Sequence, residues 1–293
     1  MIDFPNDLRS LDRKELFENS LKLSGSILKD YDPFVHKGNR GHLGLIAGSD
    51  GMAGAALLSA MAANKSGLGK LTICIPQKYL LLTHQTVPEA LVRVQEEDLS
   101  FSLFNAIAIG PGIGLSEVAE KLLQSAILAK KPMVLDADAL SILSRNPKYL
   151  NELPASSILT PHLGEWERMF GPSKDDKSRI ITSIEICNKY NISILIKGHV
   201  SVLVAANNKV YLNGTGNSGM AKAGSGDVLT GILGGLLAQG YTAEETGILG
   251  MFLHGLAGDI AKENLGSEFM TATDQIHHLS QAFKRLRISH ANP

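Results

Sequence analysis

The sequence predicts an α/β protein built on a mostly parallel sheet with helices covering both faces. Short apolar runs alternate with helical patterns along most of its 293 residues. Three glycine-rich segments follow such runs, as expected where ligands meet the carboxyl ends of parallel strands. Hydrophobic residues make up 44% of the chain, enough to fill a substantial core.

Strands are predicted at His42–Gly48, Lys70–Ile75, Ala106–Ile109, Met133–Leu135, Ser157–Leu159, Ser193–Ile196, Ser201–Ala205 and Val210–Leu212. Helices are placed at Ala53–Lys65, Leu115–Ala129, Ala139–Leu143, Leu163–Met169 and Ser178–Tyr190, followed by three more around Asp227–Gln239, Ala243–Glu263 and Thr273–Leu286. Asn207-Asn208 separates two β-like runs and marks a hairpin. Residues 1–30 are more polar and are expected to form an outlying helical segment. No repeat, low-complexity tract or linker divides the chain, so residues 1–293 are expected to form a single domain.

Lys and Arg total 28 against 29 Asp and Glu, a formal net charge of −1. No global basic field draws nucleic acid or an anionic membrane, and any anion must be bound by a local site. Cys74 and Cys187 are too few for a disulfide framework or a zinc cluster, and their apolar neighbours predict buried thiols. No apolar run approaches the ~20 residues that span a bilayer. The start, Met1-Ile-Asp-Phe-Pro-Asn-Asp7, lacks the basic-then-apolar pattern of a secretory leader, and a cytoplasmic protein is expected.

The densest chemical signal is Asn213-Gly-Thr-Gly-Asn-Ser-Gly-Met-Ala-Lys-Ala-Gly-Ser-Gly-Asp227, which runs into an apolar helical pattern. Gly224, Ser225 and Gly226 fall at a helix N-terminus, where backbone N–H groups lack intrahelical partners and the helix dipole favours phosphate. Asp227 falls in the first turn, where the same field is expected to keep its carboxylate ionised. A lone G-x-G-D can serve merely as a turn and a cap. Five glycines between Asn213 and Asp227 exceed what a turn needs, and an anion cradle with a base beside it suggests phosphoryl chemistry.

The other strand ends add candidates. Leu45-Ile-Ala-Gly-Ser-Asp-Gly-Met-Ala-Gly-Ala55 allows close approach by a ligand or tight helix-to-sheet packing, and its spacing does not match G-x-G-x-x-G. Ile109-Gly-Pro-Gly-Ile-Gly114 is a rigid turn at a strand end with room for a binding role. In Val134-Leu-Asp-Ala-Asp-Ala-Leu140, Asp136 ends a strand and could organise Mg²⁺ or water near phosphates, whereas Asp138 is expected to cap the next helix. Leu159-Thr-Pro-His-Leu-Gly-Glu-Trp166 places His162 and Glu165 toward the crevice, with Trp166 as a packing residue. The 9 histidines show no metal-binding spacing such as H-E-x-x-H. In Ile194-Leu-Ile-Lys-Gly-His-Val-Ser201, Lys197 follows buried aliphatics and needs an anion or solvent for its ammonium; a nucleotide phosphate is the anion expected.

Six motifs occur in order: K-G-x-x-G at Lys37–Gly41 with G-S-x-x-M-x-G-A ending at Ala55, G-P-G-x-G at Gly110–Gly114, D-A-D-A-L at Asp136–Leu140, T-P-H-x-G-E at Thr160–Glu165, K-G-x-x-S at Lys197–Ser201, and N-S-G-M-A-x-A-G-S-G-D at Asn217–Asp227. Together they resemble the ribokinase-like carbohydrate-kinase superfamily and, within it, the ADP-dependent NAD(P)H-hydrate dehydratases. The resemblance implies a three-layer α/β/α fold and repair of hydrated nicotinamide cofactors, the S epimers of NADHX and NADPHX. ADP is implied as co-substrate and Mg²⁺ as cofactor, with no metal ligands indicated. Ala55, Gly112 and His162 fall at family positions that contact the hydrated dinucleotide. Lys197, Gly198, His199, Val200 and Ser201, with Gly226, match positions that hold the adenine nucleotide, and Asp227 matches the catalytic aspartate that meets the substrate. Ser201 and Ser225 stand where threonine is common, and Ser141 where asparagine is frequent; these changes bear on fine substrate geometry.

By this resemblance, the β-phosphate of ADP moves to the ring hydroxyl, phosphate then leaves, and the net reaction is a dehydration. The alternatives are an ordinary small-molecule kinase, for example of a vitamin-precursor alcohol, and a non-catalytic nucleotide-binding protein. The superfamily often assembles, so a homo-oligomer is expected, with the small-residue helix Ala243–Glu263 offered as an interface.

Overall fold

A computed structural model describes residues 4–31, 33–95 and 100–291. Strands β1 (His42–Ile46), β2 (Lys70–Ile75), β3 (Leu91–Val94), β4 (Ala106–Ile109), β5 (Met133–Leu135), β6 (Ile158–Leu159), β7 (Ser193–Ile196), β8 (Val202–Val204) and β9 (Val210–Leu212) form one sheet. Their order is β3-β2-β1-β4-β5-β6-β7-β8-β9. Neighbours from β3 through β7 run parallel, and β8 and β9 close the far edge antiparallel. The expected hairpin joins β8 to β9, with Ala205 N–H donating to Lys209 O at 2.9 Å.

Alternation along each strand divides the core. Ile107 and Ile109 join the apolar cluster under α4 (Glu117–Leu128), α5 (Asp138–Arg145), α6 (Leu163–Phe170) and α7 (Asp176–Tyr190). Ala106 and Ala108 face α2 (Ala53–Asn64) and α8 (Ser225–Ala238) on the other side. Behind α8 stack α9 (Ala243–Leu265), α10 (Ala272–Ala291) and α1 (Arg13–Ile27). The sheet is thus covered on both faces, as the alternating pattern predicts. Trp166 is 1% exposed and donates to Ser183 Oγ at 3.0 Å, a packing residue as expected. Cys74 and Cys187 are buried, and burial pushes both thiols up to about 12.

Side-chain caps account for the shifted helix ends. Ser116 Oγ accepts from Ala119 N–H and starts α4 later than the pattern suggests, while Asp175 accepts from Ser178 N–H at 2.7 Å and starts α7 earlier. Two elements escape the sequence pattern. Strand β3 is half-exposed and pairs only with β2, and α3 (Leu80–Thr86) is short, lacks a side-chain cap and buries only Thr83.

Two expectations are corrected. The N-terminal helix is docked, not outlying: Phe17 meets Phe252 of α9 with ring centroids 6.2 Å apart, and Ser20 Oγ donates to Leu212 O. Arg13 Nη2 donates to Gly214 O and Gly216 O, and Nη1 to His199 O, so α1 grips both loops that carry candidate residues. Helix α9 is no outer interface, since most of its apolar side chains are consumed against α8, α10 and the sheet.

Helices α2 and α8 meet almost backbone to backbone. A Cβ on Gly231 would lie 2.1 Å from Ser59 O, and one on Gly235 would lie 1.9 Å from Ser66 Oγ. Only a missing side chain permits that approach. Gly231→Ala is therefore expected to destabilise the fold by about 1–3 kcal/mol through overpacking, measured by denaturant unfolding. An unchanged midpoint would show that the seam yields freely.

Candidate active site

The loops at the carboxyl ends of the parallel strands are tied to one another. Gly48 N–H donates to Pro111 O at 2.8 Å, linking the loops after β1 and β4, between which the strand order reverses. Gly112 takes φ +60°, and a Cβ there would lie 2.8 Å from Met52 Cβ and 3.2 Å from Ala55 Cβ, so Ala55 and Gly112 form one wall. Gly114 N–H donates to Asp138 Oδ2 at 2.9 Å, linking the loops after β4 and β5. Asp138 was expected to cap α5. The cap position belongs instead to Ala137, at φ 49° and ψ −117°, a strained conformation that separates two inward-held carboxylates.

Asp136 ends β5 and is 1% exposed. Its Oδ1 accepts from Lys197 Nζ at 2.6 Å, and its Oδ2 from Thr230 Oγ1 at 2.7 Å. Lys197 Nζ also lies 3.7 Å from Glu165 Oε2. The anion that Lys197 needs is thus supplied by protein carboxylates, where a nucleotide phosphate was expected. Burial pulls the Lys197 pKa down, but Asp136, Glu165 and Asp227 outweigh it and leave the ammonium firmly protonated.

Above this pair stands the N-terminus of α8. Gly224 caps it at φ +91°, a left-handed conformation that suits glycine. The first helical bond runs from Val228 N–H to Gly224 O, and Ser225 N–H lies 3.4 Å from Lys222 O. Among the described residues, the N–H groups of Gly226 and Asp227 have no acceptor. Gly224 N–H also has no acceptor among the described residues, so of the expected trio only Ser225 N–H is engaged, and Asp227 N–H adds a further free donor. A Cβ on Gly226 would lie 3.6 Å from Lys197 Nζ and 3.7 Å from Asp136 Oδ2, filling the space over both. The Ser225 hydroxyl turns inward to His254 and Gln275, leaving only the backbone of Ser225 to the cradle.

Asp227 lies in the first turn of α8, largely buried, and among the described residues no hydrogen bond or ion pair reaches its carboxylate. Its pKa is pushed up to about 6, first by burial and then by the Asp136 charge, against a pull from Lys197, with a smaller push from Asp138. Desolvation and neighbouring anions thus raise its pKa against the helix field, yet at about 6 the group is still mostly ionised at neutral pH, as expected. An unpaired carboxylate with a pKa near neutrality is suited to accept a proton.

His162 lies across from Lys197 in a parallel bridge and caps α6, its Nδ1 accepting from Gly164 N–H at 3.1 Å and Glu165 N–H at 3.3 Å. Accepting at Nδ1 places the ring proton on Nε2, 3.5 Å from Glu165 Oε1. The ring is exposed to the crevice, but its local role is to start a helix. Gly198, His199 and Val200, together with Leu163 and Ile196, line a cavity of about 520 Å³. Neither Gly224–Gly226 nor Asp227 borders that cavity, and Ser201 instead accepts from Asn213 N–H at 3.0 Å.

The sequence patterns did not single out Thr230, Asp259, His254 or Gln275. Asp259 accepts from Gly216 N–H at 2.8 Å and Asn217 Nδ2 at 2.9 Å, anchoring the glycine-rich loop to α9. His254 and Asp259 had one signal available: both are polar intrusions in the otherwise apolar run of α9.

This fold defines a class, the α/β/α proteins of the ribokinase-like kind. Residues 43–281 match the carbohydrate-kinase family model described as NAD(P)H-hydrate dehydratase, and the chain belongs to that family. It is 34% identical over 263 residues to the ADP-dependent (S)-NAD(P)H-hydrate dehydratase of Neisseria meningitidis serogroup B, covering 87% of this chain and 88% of that one. The bifunctional NAD(P)H-hydrate repair enzyme of Thermofilum pendens is 33% identical over 272 residues, covering 87% of this chain and 52% of the relative. This chain spans about half the length of such bifunctional relatives. The ADP/ATP-dependent NAD(P)H-hydrate dehydratase of Bacillus subtilis, crystallised with ATP and Mg²⁺, superposes with a TM-score of 0.83 at 32% identity, covering 91% and 97% of the two chains.

The raised pKa of Asp227 carries a stability consequence. Relative to the ordinary 3.8, a folded-state value of about 6 favours the fold fully below about pH 3.8, and that contribution is lost as pH rises through 6. Asp227→Asn is expected to stabilise the protein at pH 8 by up to about 3 kcal/mol and to leave it nearly unchanged at pH 4. Denaturant unfolding at both pH values checks this, and an equal shift at both would remove the charge as its cause.

Proposed function

We propose that this chain catalyses ADP-dependent dehydration of (S)-NADHX and (S)-NADPHX to NADH and NADPH, releasing AMP and phosphate. The observation that carries this reading is the unpaired Asp227 carboxylate, pKa about 6, in the same helical turn as two N–H groups without acceptors. Family membership supplies the substrate class.

Hydroxide leaves the hydrated ring poorly, so the hydroxyl must first be activated. Asp227 takes its proton while the hydroxyl oxygen attacks the β-phosphorus of ADP. The bond from that phosphorus to the bridging oxygen breaks, and AMP departs. Gly226 and Asp227 N–H stabilise the charge on the transferring phosphoryl group. The ring nitrogen lone pair then expels phosphate, and loss of a proton from the adjacent carbon restores the dihydropyridine. Ala55 and Gly112 would border the dinucleotide, with His162 on the crevice rim. The Gly198–Ser201 loop would take the adenine nucleotide.

Among the described residues, no group of three or more His, Cys, Asp or Glu is placed to hold a metal ion. Both Asp136 oxygens are already engaged by the protein. With no ligand cluster of the protein's own among those residues, Mg²⁺ would enter with the nucleotide's phosphates, a common partner of that ion. When bound there, it supplies positive charge to the phosphates. Among the described residues no helix is long and apolar enough to cross a membrane. A cytoplasmic homo-oligomer, with α9 excluded as its interface, completes the proposal.

The direct test supplies hydrated NADH, ADP and Mg²⁺ and follows reduced-nicotinamide absorbance and free phosphate together. Both should rise in equal amounts; a lasting phosphorylated product would identify a kinase instead, and ADP binding without turnover a non-catalytic binder. Asp227→Asn is expected to lower kcat by about 10²–10⁴-fold, with ADP affinity by calorimetry within about threefold of wild type. In the wild type, kcat/KM should fall as pH drops below about 6, reporting the free enzyme's base.

A further inference from the structure

We propose that His254 is a positioning residue for the phosphate cradle, fixing the direction in which Gly226 N–H points. The inference rests on the phosphoryl-transfer reading above and assigns a part of that site lying behind it, on α9. His254 Nε2 lies 2.9 Å from Ser225 O and 3.2 Å from Ser225 Oγ. A carbonyl oxygen can only accept, so Nε2 carries the proton and donates it. Ser225 Oγ in turn donates to Gln275 Oε1 at 3.2 Å, and Gln275 is 1% exposed.

The peptide plane converts this rear contact into a front-side effect. Across a trans peptide, the Ser225 carbonyl and the Gly226 N–H point in opposite directions within one rigid plane. Holding the oxygen from α9 therefore aims the N–H at the opposite side, where no protein acceptor meets it. Drawing electron density toward the carbonyl oxygen also strengthens the N–H as a donor. The same helix holds the other end of the loop through Asp259, which accepts from Gly216 N–H and Asn217 Nδ2. Both ends of the glycine-rich loop are thus referenced to one rigid element. Burial also pushes the His254 pKa down to about 4, so the imidazole remains neutral as pH rises from 5.

Two variants test this. His254→Leu keeps apolar bulk and removes the donor, and His254→Gln keeps a side-chain N–H of similar reach. The Leu variant is expected to lose about 10–100-fold in kcat with a smaller change in KM for ADP, and the Gln variant to recover most of that loss. The Gly226 backbone amide resonance should shift on adding ADP and Mg²⁺ in the wild type and the Gln variant, and much less in the Leu variant. A Leu variant with wild-type kcat, equal losses in both variants, or an undiminished Gly226 shift in the Leu variant would each overturn the proposal. If the wild type does not dehydrate hydrated NADH, the functional reading falls. The Gly226 comparison still decides the role of His254 in that case.

Discussion

The contact between Asp136 and Lys197 is the constraint on which the rest of the site depends. It joins the end of β5 to the end of β7 across β6, and Thr230 brings α8 into the same knot. A carboxylate 1% exposed cannot stand alone in such a place. Removing one partner of a buried pair typically costs about 3–5 kcal/mol because it strands the other charge. The pairing also spends most of the lysine's positive charge inside the protein. What remains for Asp227 is a weak attraction, outweighed by burial and by two carboxylates, so a helix-start aspartate becomes a base poised near neutrality. In the proposed reaction a phosphoryl group would be met there by backbone N–H groups, with the lysine already committed below them.

The large features were legible because they are local. Short apolar runs between helical patterns located every strand except β3, and glycine density before an apolar helix placed Asp227 in the first turn of α8. Strand β3 shows what local pattern cannot supply: its four residues are half-exposed, and their register comes from β2. The raised pKa of Asp227 was not legible for a similar reason. The helix field is visible in the sequence around it, whereas Asp136 is 91 residues away and acts through folded proximity. Lys197 was flagged correctly as a cation in need of an anion, but that anion lay two strands away, at a separation of 61 residues. His162, which the family resemblance places against the dinucleotide, also starts α6 through its ring nitrogen, a cap that the polar junction alone did not reveal.

The glycine-rich loop is heavily tethered in the fold. Asn213 Nδ2 donates to Met251 O, Thr215 Oγ1 to Phe252 O, and Lys222 Nζ to Glu268 O and Met270 O. Arg13 adds a clamp from α1, a helix that lies before the family-matched span. Glycine there serves close approach and special backbone angles, and polar anchors recover the order that glycine forfeits.

The seam between α2 and α8 also acts as a gauge block. Ala55, which would border the dinucleotide, rides on the first turn of α2, and Asp227 rides on the first turn of α8. Their spacing is set farther along, where the Ser59 carbonyl meets Gly231 and the Ser66 hydroxyl meets Gly235. The width of the crevice is therefore written into helix packing, remote from any ligand. An added methyl in that seam would move Ala55 and Asp227 relative to one another without altering either side chain, so the crevice can be misfitted to its guest by a change that touches none of its chemistry.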